Sequence, residues 1–495
     1  MERKTYSATH NGTTTAELTA SYTDRDKIRA YFWCDMLDEN DEFNTLVTSL
    51  FDRYGLLWPE YYNHPVLKGT GVWGEELGEG GIVVFEKLCV KQPGSAADLI
   101  EGSIKVINHA LESLKSRYTN FIAFIRPEVT SDDLLAISVH VWRSAGFRRV
   151  GTTYWFAFTP NPDHPSRKLD ASEDYEFPQV QPDQDTMPDH IHALFEMLGD
   201  YDSVDDACLD HLQVCLPEAD DPAWLMTNED GDTLLHAASF TSKPECIRYI
   251  IFQKPALLVT RNHIGHTPAE AMRSELDYDR SMQEAEDDDE DEFTGFSEED
   301  VRSLALLMDW RVPDIMGFKF GCTCGDCAWG FLSPRMRERL SLVARRWSDP
   351  NDNPPEVAKF MFVPYELQRS MVNEHGFKHG FAKLYQCLHL CFETRRAPTA
   401  KNVMGMKAFL GSRDDRKSVV VISQRFAEAG EDAADIATNA VLFEAIANDT
   451  VFGFTGEPYR VEHDKSDLPK CRNDREYGLV RRLCRIKYRL PVGFG

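Results

Sequence analysis

The chain has 495 residues, a formal net charge of −27, 42% hydrophobic residues and 12 cysteines. That length exceeds what one core can organise, so about three domains are expected, and no apolar run approaches the roughly 18 residues of a membrane span. The N-terminal "MERKTYSATHNGTTTAE" has no hydrophobic signal core, so the cysteines are expected to be reduced thiols or metal ligands in the cytoplasm or nucleus. The charge is local. Asp163–Asp232 holds 20 acidic and 2 basic residues and Glu284–Asp300 holds 11 acidic and none basic, leaving the remainder close to neutral. Such a chain is a poor nonspecific ligand for nucleic acid, and neither a nucleic-acid nor a membrane partner is expected.

In chain order, Ala16–Tyr22 reads as a strand and Asp24–Met36 as a helix, with a second helix near Glu42–Arg53. "GIVVFEKLCVKQ" alternates as a strand does, with Val83, Phe85, Lys87 and Cys89 against Val84, Glu86, Leu88 and Val90. "SIKVINHALESLKSR" puts Ile104, Ile107, Leu111 and Leu114 on one helical face. "NFIAFIRP" is the continuous apolar run of a buried parallel strand. "DLLAISVHVWRSAGF" is a helix stopped at Gly146, and "RRVGTTYWFAFTP" closes the block as a strand or hairpin.

This order, with "LFDRYG", "GTGVWGEEL" and "WRSAGFRRVGTTYWFAF", resembles the GCN5-related N-acetyltransferase (GNAT) fold, and more narrowly a fungal subfamily in which such a domain precedes ankyrin repeats. The resemblance covers roughly Glu17 to Thr159. It implies a mixed sheet with helices and acetyl-CoA held after the "EKLCV" strand, where a loop of the form R/Q-x-x-G-x-G/A brings backbone N–H groups to the pyrophosphate. Counted on from Val90, the basic positions fall on Gly94 and Ser95 and the glycines on Ala97 and Leu99, with Asp98 adding a negative charge. A shifted count gives Lys91, Gly94 and Ala96, close to the strand end. The cofactor candidates are thus Val90, Lys91, Gly94, Ser95 and Ala96, in a loop that reads as degenerate. By the same resemblance Glu86 would be the general base and Tyr154 the acid toward the leaving thiolate. Read by themselves, Glu86 is an outward position of an alternating strand, and Tyr154 a packed aromatic beside Trp155 and Phe156.

Prolines 160, 162, 165, 178, 182 and 188 make residues 161–188 read as an extended acidic linker. Beyond it, "DGDTLLHAA" and "HIGHTPAEA" are one phrase written twice, with Thr233 and Thr267 34 residues apart. This is close to the ankyrin period of about 33, and both phrases resemble ankyrin repeats. Gly231 and Gly265 would turn the chain, Thr233 and Thr267 would cap helices, and His236 would bond back to its cap. Since about three repeats are needed for stability, "DHIHALFEMLGD" and "VDDACLDHLQVCLP" are expected to form a divergent pair in front. Such a stack implies a protein partner, and the acidic surplus points to a basic one.

"QEAEDDDEDEFTGFSEED" reads as an acidic spacer, after which residues 301–495 are mostly helical in pattern. "KFGCTCGDCAWGFLSPRMRERL" places Cys322, Cys324 and Cys327 within six residues, with Ser333 capping the helix that follows. Three thiolates plus Cys387 or Cys391 from "YQCLHLCFE" would make a tetrahedral zinc site; a glycine turn with reduced thiols is the alternative. The tail Lys465–Gly495 carries 9 basic and 3 acidic residues, without the interleaved aromatics of a nucleic-acid binder.

The expected fold class is therefore multidomain α+β. Residues 1–160 form a GNAT-like domain, 161–188 a linker, 189–282 ankyrin-type repeats, 283–300 an acidic spacer, and 301–495 a helical cysteine-bearing domain. Two functions remain open: an intracellular protein-interaction protein whose GNAT-like domain is degenerate in acetyl-CoA binding, or an active N-acetyltransferase whose repeats recruit a protein substrate.

Overall fold

The computed structural model describes residues 2–10, 13–28, 32–37, 41–90, 95–127, 132–177, 187–285, 293–309, 315, 317–349, 360–368, 374–449 and 467–487. It is a mixed α/β structure that divides into two compact units, Met1–Asp291 and Glu292–Gly495. No helix among the described residues is long and apolar enough to cross a membrane.

The first unit is built on a six-stranded sheet of order β1-β2-β3-β4-β6-β5: β1 Glu2–His10, β2 Thr13–Thr23, β3 Gly81–Val90, β4 Phe121–Ile125, β5 Arg148–Arg149 and β6 Phe156–Phe158. Only β3 and β4 are parallel, joined through helix α2; the other pairs are antiparallel. Counting helices of seven residues or more, α1 is Asp41–Leu50, α2 Ala96–Arg117 and α3 Asp132–Ser144. The period-two pattern explains why both sheet faces are covered. Val83, Phe85, Phe121, Ala123, Ile125, Phe156 and Phe158 point into the core under α2 and α3. Their neighbours Ile82, Val84, Ile122, Phe124 and Ala157 point into the core with α1 and the 32–37 and 50–77 segments. Helix α3 ends where expected: Gly146 has φ 94°, and the Phe147 N–H reaches back to the Trp142 carbonyl at 3.0 Å.

β1 has no counterpart among the expected strands. Its only apolar residues are Tyr6 and Ala8, and its stability comes from pairing with β2 from Glu2↔Tyr22 to His10↔Thr13, with a register shift between Ala8 and Thr9. Residues 161–177 differ from an extended linker. The Arg143 guanidinium pairs with Asp174, Arg148 donates to the Leu169 carbonyl, and Arg149 donates to the Tyr175 carbonyl. Three arginines thus hold this stretch against the end of α3 and β5, a pull that proline content does not reveal.

The remainder of the unit is helical: α4 Asp189–Gly199, α5 Asp205–Cys215, α6 Leu234–Phe240, α7 Pro244–Gln253 and α8 Pro268–Ala285. α4 packs on α6 and α5 on α7, so consecutive helix pairs lie against one another. Thr233 accepts from the His236 N–H in a capping box, and Thr267 repeats it with Glu270. The turn residues Gly231 and Gly265 have φ of 75° and 86°. A Cβ on Gly231 would lie 2.3 Å from the His263 ring, so Gly231→Val is expected to destabilise the unit by about 1–3 kcal/mol. An unshifted thermal melt of that variant would contradict the tight turn. These helices also join the sheet core. Thr152 Oγ1 donates to the Ile264 carbonyl at 2.6 Å, His64 lies 3.1 Å from Glu270, and Met282 packs among the residues of the α1-side core.

The second unit is helical: α9 Glu298–Met308, α10 Pro334–Ser348, α11 His375–Glu393, α12 Arg413–Glu428, α13 Ala433–Ala447 and α14 Tyr477–Leu483. Ser333 caps α10 through the Met336 N–H, and α10, α11 and α13 pack on one another around Leu340, Ala344, Leu384, Leu388 and Val441.

Candidate metal centre and a cleft beside the sheet

In the second unit, Cys322, Cys324 and Cys327 lie on the turn that precedes α10. Gly321 and Gly325 bend this turn at φ 74° and 72°, a region that L side chains rarely adopt. A single antiparallel bridge, Ala328↔Leu332, closes it before Ser333 starts the helix. The fourth sulfur comes from Cys471, 144 residues beyond Cys327. Successive Sγ–Sγ separations are 3.8 Å for Cys322–Cys324, 3.8 Å for Cys324–Cys327 and 3.4 Å for Cys327–Cys471, and all four sulfurs lie within 4.8 Å of one another. The four cysteines are unbridged, and together they can hold a metal ion such as zinc.

Three sulfurs receive donors from the surrounding chain. The Asp326 N–H points at Cys324 at 3.4 Å, Thr323 Oγ1 at Cys471 at 3.8 Å, and Asn473 Nδ2 at Cys327 at 3.9 Å. The thiols titrate as a group. Hydrogen bonds from Cys324 and then Cys327 hold the Cys322 thiol well below its ordinary value. At Cys471 the Cys322 sulfur pushes the other way, but Cys324 and Cys327 prevail and leave it at about 6.

Cys387 and Cys391, the expected source of the fourth ligand, are not part of this set. Both are fully buried on α11, where burial pushes each thiol up to about 12. Cys391 donates to the Arg396 and Ala397 carbonyls at 3.6 and 3.5 Å, so it serves the end of its own helix. His389 is turned to Ser341, 2.8 Å from its hydroxyl.

In the first unit a cleft of about 140 Å³ opens where β3 and β4 part. Their pairing ends at Val84↔Phe124, and β3 runs on beside β2 alone. The β2–β3 register shifts between Thr19 and Ala20, leaving Glu86 as the unpaired residue of a bulge. The bulge sets Glu86 at the cleft wall and buries it, which corrects the outward position expected from alternation. Its carboxylate is bonded to the Ser21 hydroxyl and paired with Arg3 of β1. Leu88, Ile125, Ile137 and Trp142 make the cleft mostly apolar, with Arg126 at its edge.

Tyr154 does not line this cleft. Its ring packs on Phe177 at 4.8 Å, and burial raises its phenol above the ordinary value. Of the candidate cofactor residues, Lys91 and Gly94 lie outside the described residues, and Val90 ends β3. Ser95 caps α2, accepting from the Asp98 N–H at 3.2 Å and donating to the Asp98 carboxylate at 2.8 Å, and Ala96 is the first helical residue. The end of α2 nearest the cleft is thus closed by its own cap and faces a carboxylate.

No family model matches the chain, and comparison with curated proteins and with solved structures found no match either.

Two features of these sites escape sequence reasoning. Arg3 lies in a stretch with no strand pattern strong enough to place it beside Glu86. Cys471 is separated from its partners by most of the second unit.

Proposed function

We propose that the protein is an intracellular protein-interaction protein that binds its partner through an ankyrin-type helical stack and carries a GNAT-like domain without acetyl-transfer activity. The observation that carries the reading is where the exposed apolar side chains fall. Val214 and Phe252 are the penultimate residues of α5 and α7, two helices that pack side by side, and they are 78% and 81% exposed. Leu225 and Val259, in the connections that follow these helices, are exposed too. Large apolar side chains recurring at equivalent places of a stack mark a contact surface rather than scattered exposure. The acidic surplus of Asp163–Asp232, the stretch of sequence that includes Val214 and Leu225, favours a basic partner with apolar anchors.

Two features support the absence of acetyl transfer. Glu86, the natural base, is engaged by Arg3 and Ser21, and the α2 N-terminus offers a carboxylate where a pyrophosphate would need free N–H groups. The competing reading, an acetyl-CoA-dependent N-acetyltransferase that recruits its substrate through the stack, draws on the position of the cleft beside Glu86.

Two experiments separate them. In calorimetric titration of the full chain with acetyl-CoA, no saturable binding is expected at micromolar concentrations. In affinity capture from cells, a partner held by the wild-type chain should be lost from the Val214→Glu, Phe252→Glu variant with its melting temperature unchanged. Low-micromolar acetyl-CoA binding sinks the proposal and promotes the transferase; capture unaffected by the variant removes the stack as the contact surface.

A further inference from the structure

We propose that Cys322, Cys324, Cys327 and Cys471 hold one structural Zn²⁺ that fastens the C-terminal segment, residues 467–487, to the turn ahead of α10. The inference is independent of the interaction reading.

The spacing of the sulfurs is the first argument. Zinc–thiolate bonds of about 2.3 Å at tetrahedral angles put the sulfurs about 3.8 Å apart. The measured separations along the set are 3.8, 3.8 and 3.4 Å. Disulfide sulfurs stand about 2.05 Å apart, so none of these pairs is bonded. An iron–sulfur cluster spreads its thiolates over several metal atoms, whereas these four sulfurs all lie within 4.8 Å of one another. Four sulfur ligands, with no oxygen or imidazole among them, favour zinc over the harder divalent cations.

The second argument is what surrounds the sulfurs. The Asp326 N–H, the Thr323 hydroxyl and the Asn473 amide are directed at three of them. Donors aimed at sulfur stabilise the thiolate over the thiol and fix each ligand's direction. These contacts are reciprocal across the junction. Thr323 stands on the turn and serves Cys471, while Asn473 stands on the C-terminal segment and serves Cys327. Asn473 is fully buried and also donates to the Phe320 and Gly330 carbonyls at 3.0 and 3.1 Å. The Arg472 N–H donates to Thr323 at 3.0 Å, and Arg335 of α10 holds the Leu468 carbonyl at 2.9 Å.

The third argument concerns need. The segment that carries Cys471 continues directly into α14, whose Tyr477 is buried and bonded to Arg339 of α10 at 3.0 Å. A segment of some twenty residues has little core of its own, and a metal joining residues so far apart in sequence restricts the unfolded chain strongly. With all four positions taken by sulfur, the ion has no open site for water or substrate, so its role is to hold, not to catalyse.

The test uses the full chain, expressed in zinc-containing medium and purified with reductant and without chelator. Elemental analysis and native mass spectrometry should find about one zinc per chain. Replacement by cobalt(II) should give the absorption of a tetrahedral tetrathiolate centre. Cys471→Ser should lose at least tenfold in zinc occupancy, while Cys387→Ser, which alters a thiol outside the set, should keep it. A strong chelator applied to the wild-type chain should open residues 467–487 to limited proteolysis, a readout that does not depend on any variant folding. Absence of metal with free alkylation of all four thiols overturns the site. Iron in place of zinc overturns the metal assignment. Zinc present but a C-terminal segment equally protected before and after chelation overturns the fastening role.

Discussion

Replacing His236 with alanine is expected to destabilise the first unit by about 2–4 kcal/mol, a large fraction of what holds such a unit folded. His236 is fully buried near the start of α6. Its Nδ1 accepts the Thr233 N–H at 3.1 Å, and its Nε2 bonds to the His266 carbonyl at 3.0 Å, 30 residues away. The neutral ring with its proton on Nε2 satisfies both contacts. One contact completes the cap of α6, and the other ties that cap to the next turn. Alanine would leave the Thr233 N–H buried without a partner, at a cost of about 1–3 kcal/mol, would take from the His266 carbonyl one of its two donors, the Asn262 N–H at 2.9 Å remaining, and would leave a cavity where the ring stood. Denaturant unfolding followed by hydrogen exchange in residues 187–285 gives the measurement. A loss below about 1 kcal/mol would mean that His236 does not join consecutive helix pairs.

The capping half of that role was legible in the sequence because the phrase is local, whereas the bond to the His266 carbonyl, 30 residues on, was not. The threonine, the histidine three residues on and the glycine before them lie within one turn, and the phrase recurs 34 residues later. The sheet was legible for a similar reason: β3 and β4 bury apolar side chains at period two or continuously, a signal that survives in a single strand. What failed was non-local. β1 carries two inward apolar residues, too few to separate it from a polar terminus, and its partner β2 supplies the rest. The same gap hid the true surroundings of Glu86. Alternation sends it outward, but a one-residue bulge opposite Thr19 and Ala20 returns it to the interior, and only the register of two strands reveals a bulge.

The metal centre divides along the same line. The three cysteines of the turn and the glycines that bend it are local and could be read directly. The fourth ligand could not. Cys387 and Cys391 share a helical face, which made them attractive, but a shared face of a central helix is more often a core face. Both are fully buried on α11 and protonated, not ligands. Cys471, in a basic segment, is where three-dimensional packing puts the sulfur. The one sequence signal available was a cysteine followed closely by Asn473 and Asp474, both able to fix a tight turn; the Asp474 carboxylate accepts the Cys471 N–H at 3.0 Å.

Acidification should weaken the first unit before its carboxylates begin to protonate. His266 is buried between consecutive turns of the stack, and burial pushes its pKa down to about 4, against the opposing pull of Glu270. Burial lowers His236 as well, with the His266 carbonyl and the Asp232 and Glu270 charges acting against it. Both imidazoles therefore stay neutral in the folded chain while the unfolded chain takes up protons near pH 6.5. The sign follows from that order. The unfolded state binds protons first, so stability is complete above about pH 6.5 and falls as the pH drops toward the folded values. His266 alone accounts for a loss of about 2 kcal/mol by pH 5 and about 3 kcal/mol by pH 4, and His236 adds in the same direction. Between pH 7 and 5 the ordinary carboxylates remain ionised in both states, and Cys471 and Asp435, which lie near 6, belong to the second unit, so the slope read in the first unit is carried chiefly by its histidines. Urea unfolding of the full chain at half-unit steps, read through exchange protection in α6 and α7, should show stability declining from pH 6.5 downward. His266→Asn should flatten the decline. A chain equally stable at pH 7 and pH 5, or a variant that retains the full slope, would show that His266 is not held neutral in the stack.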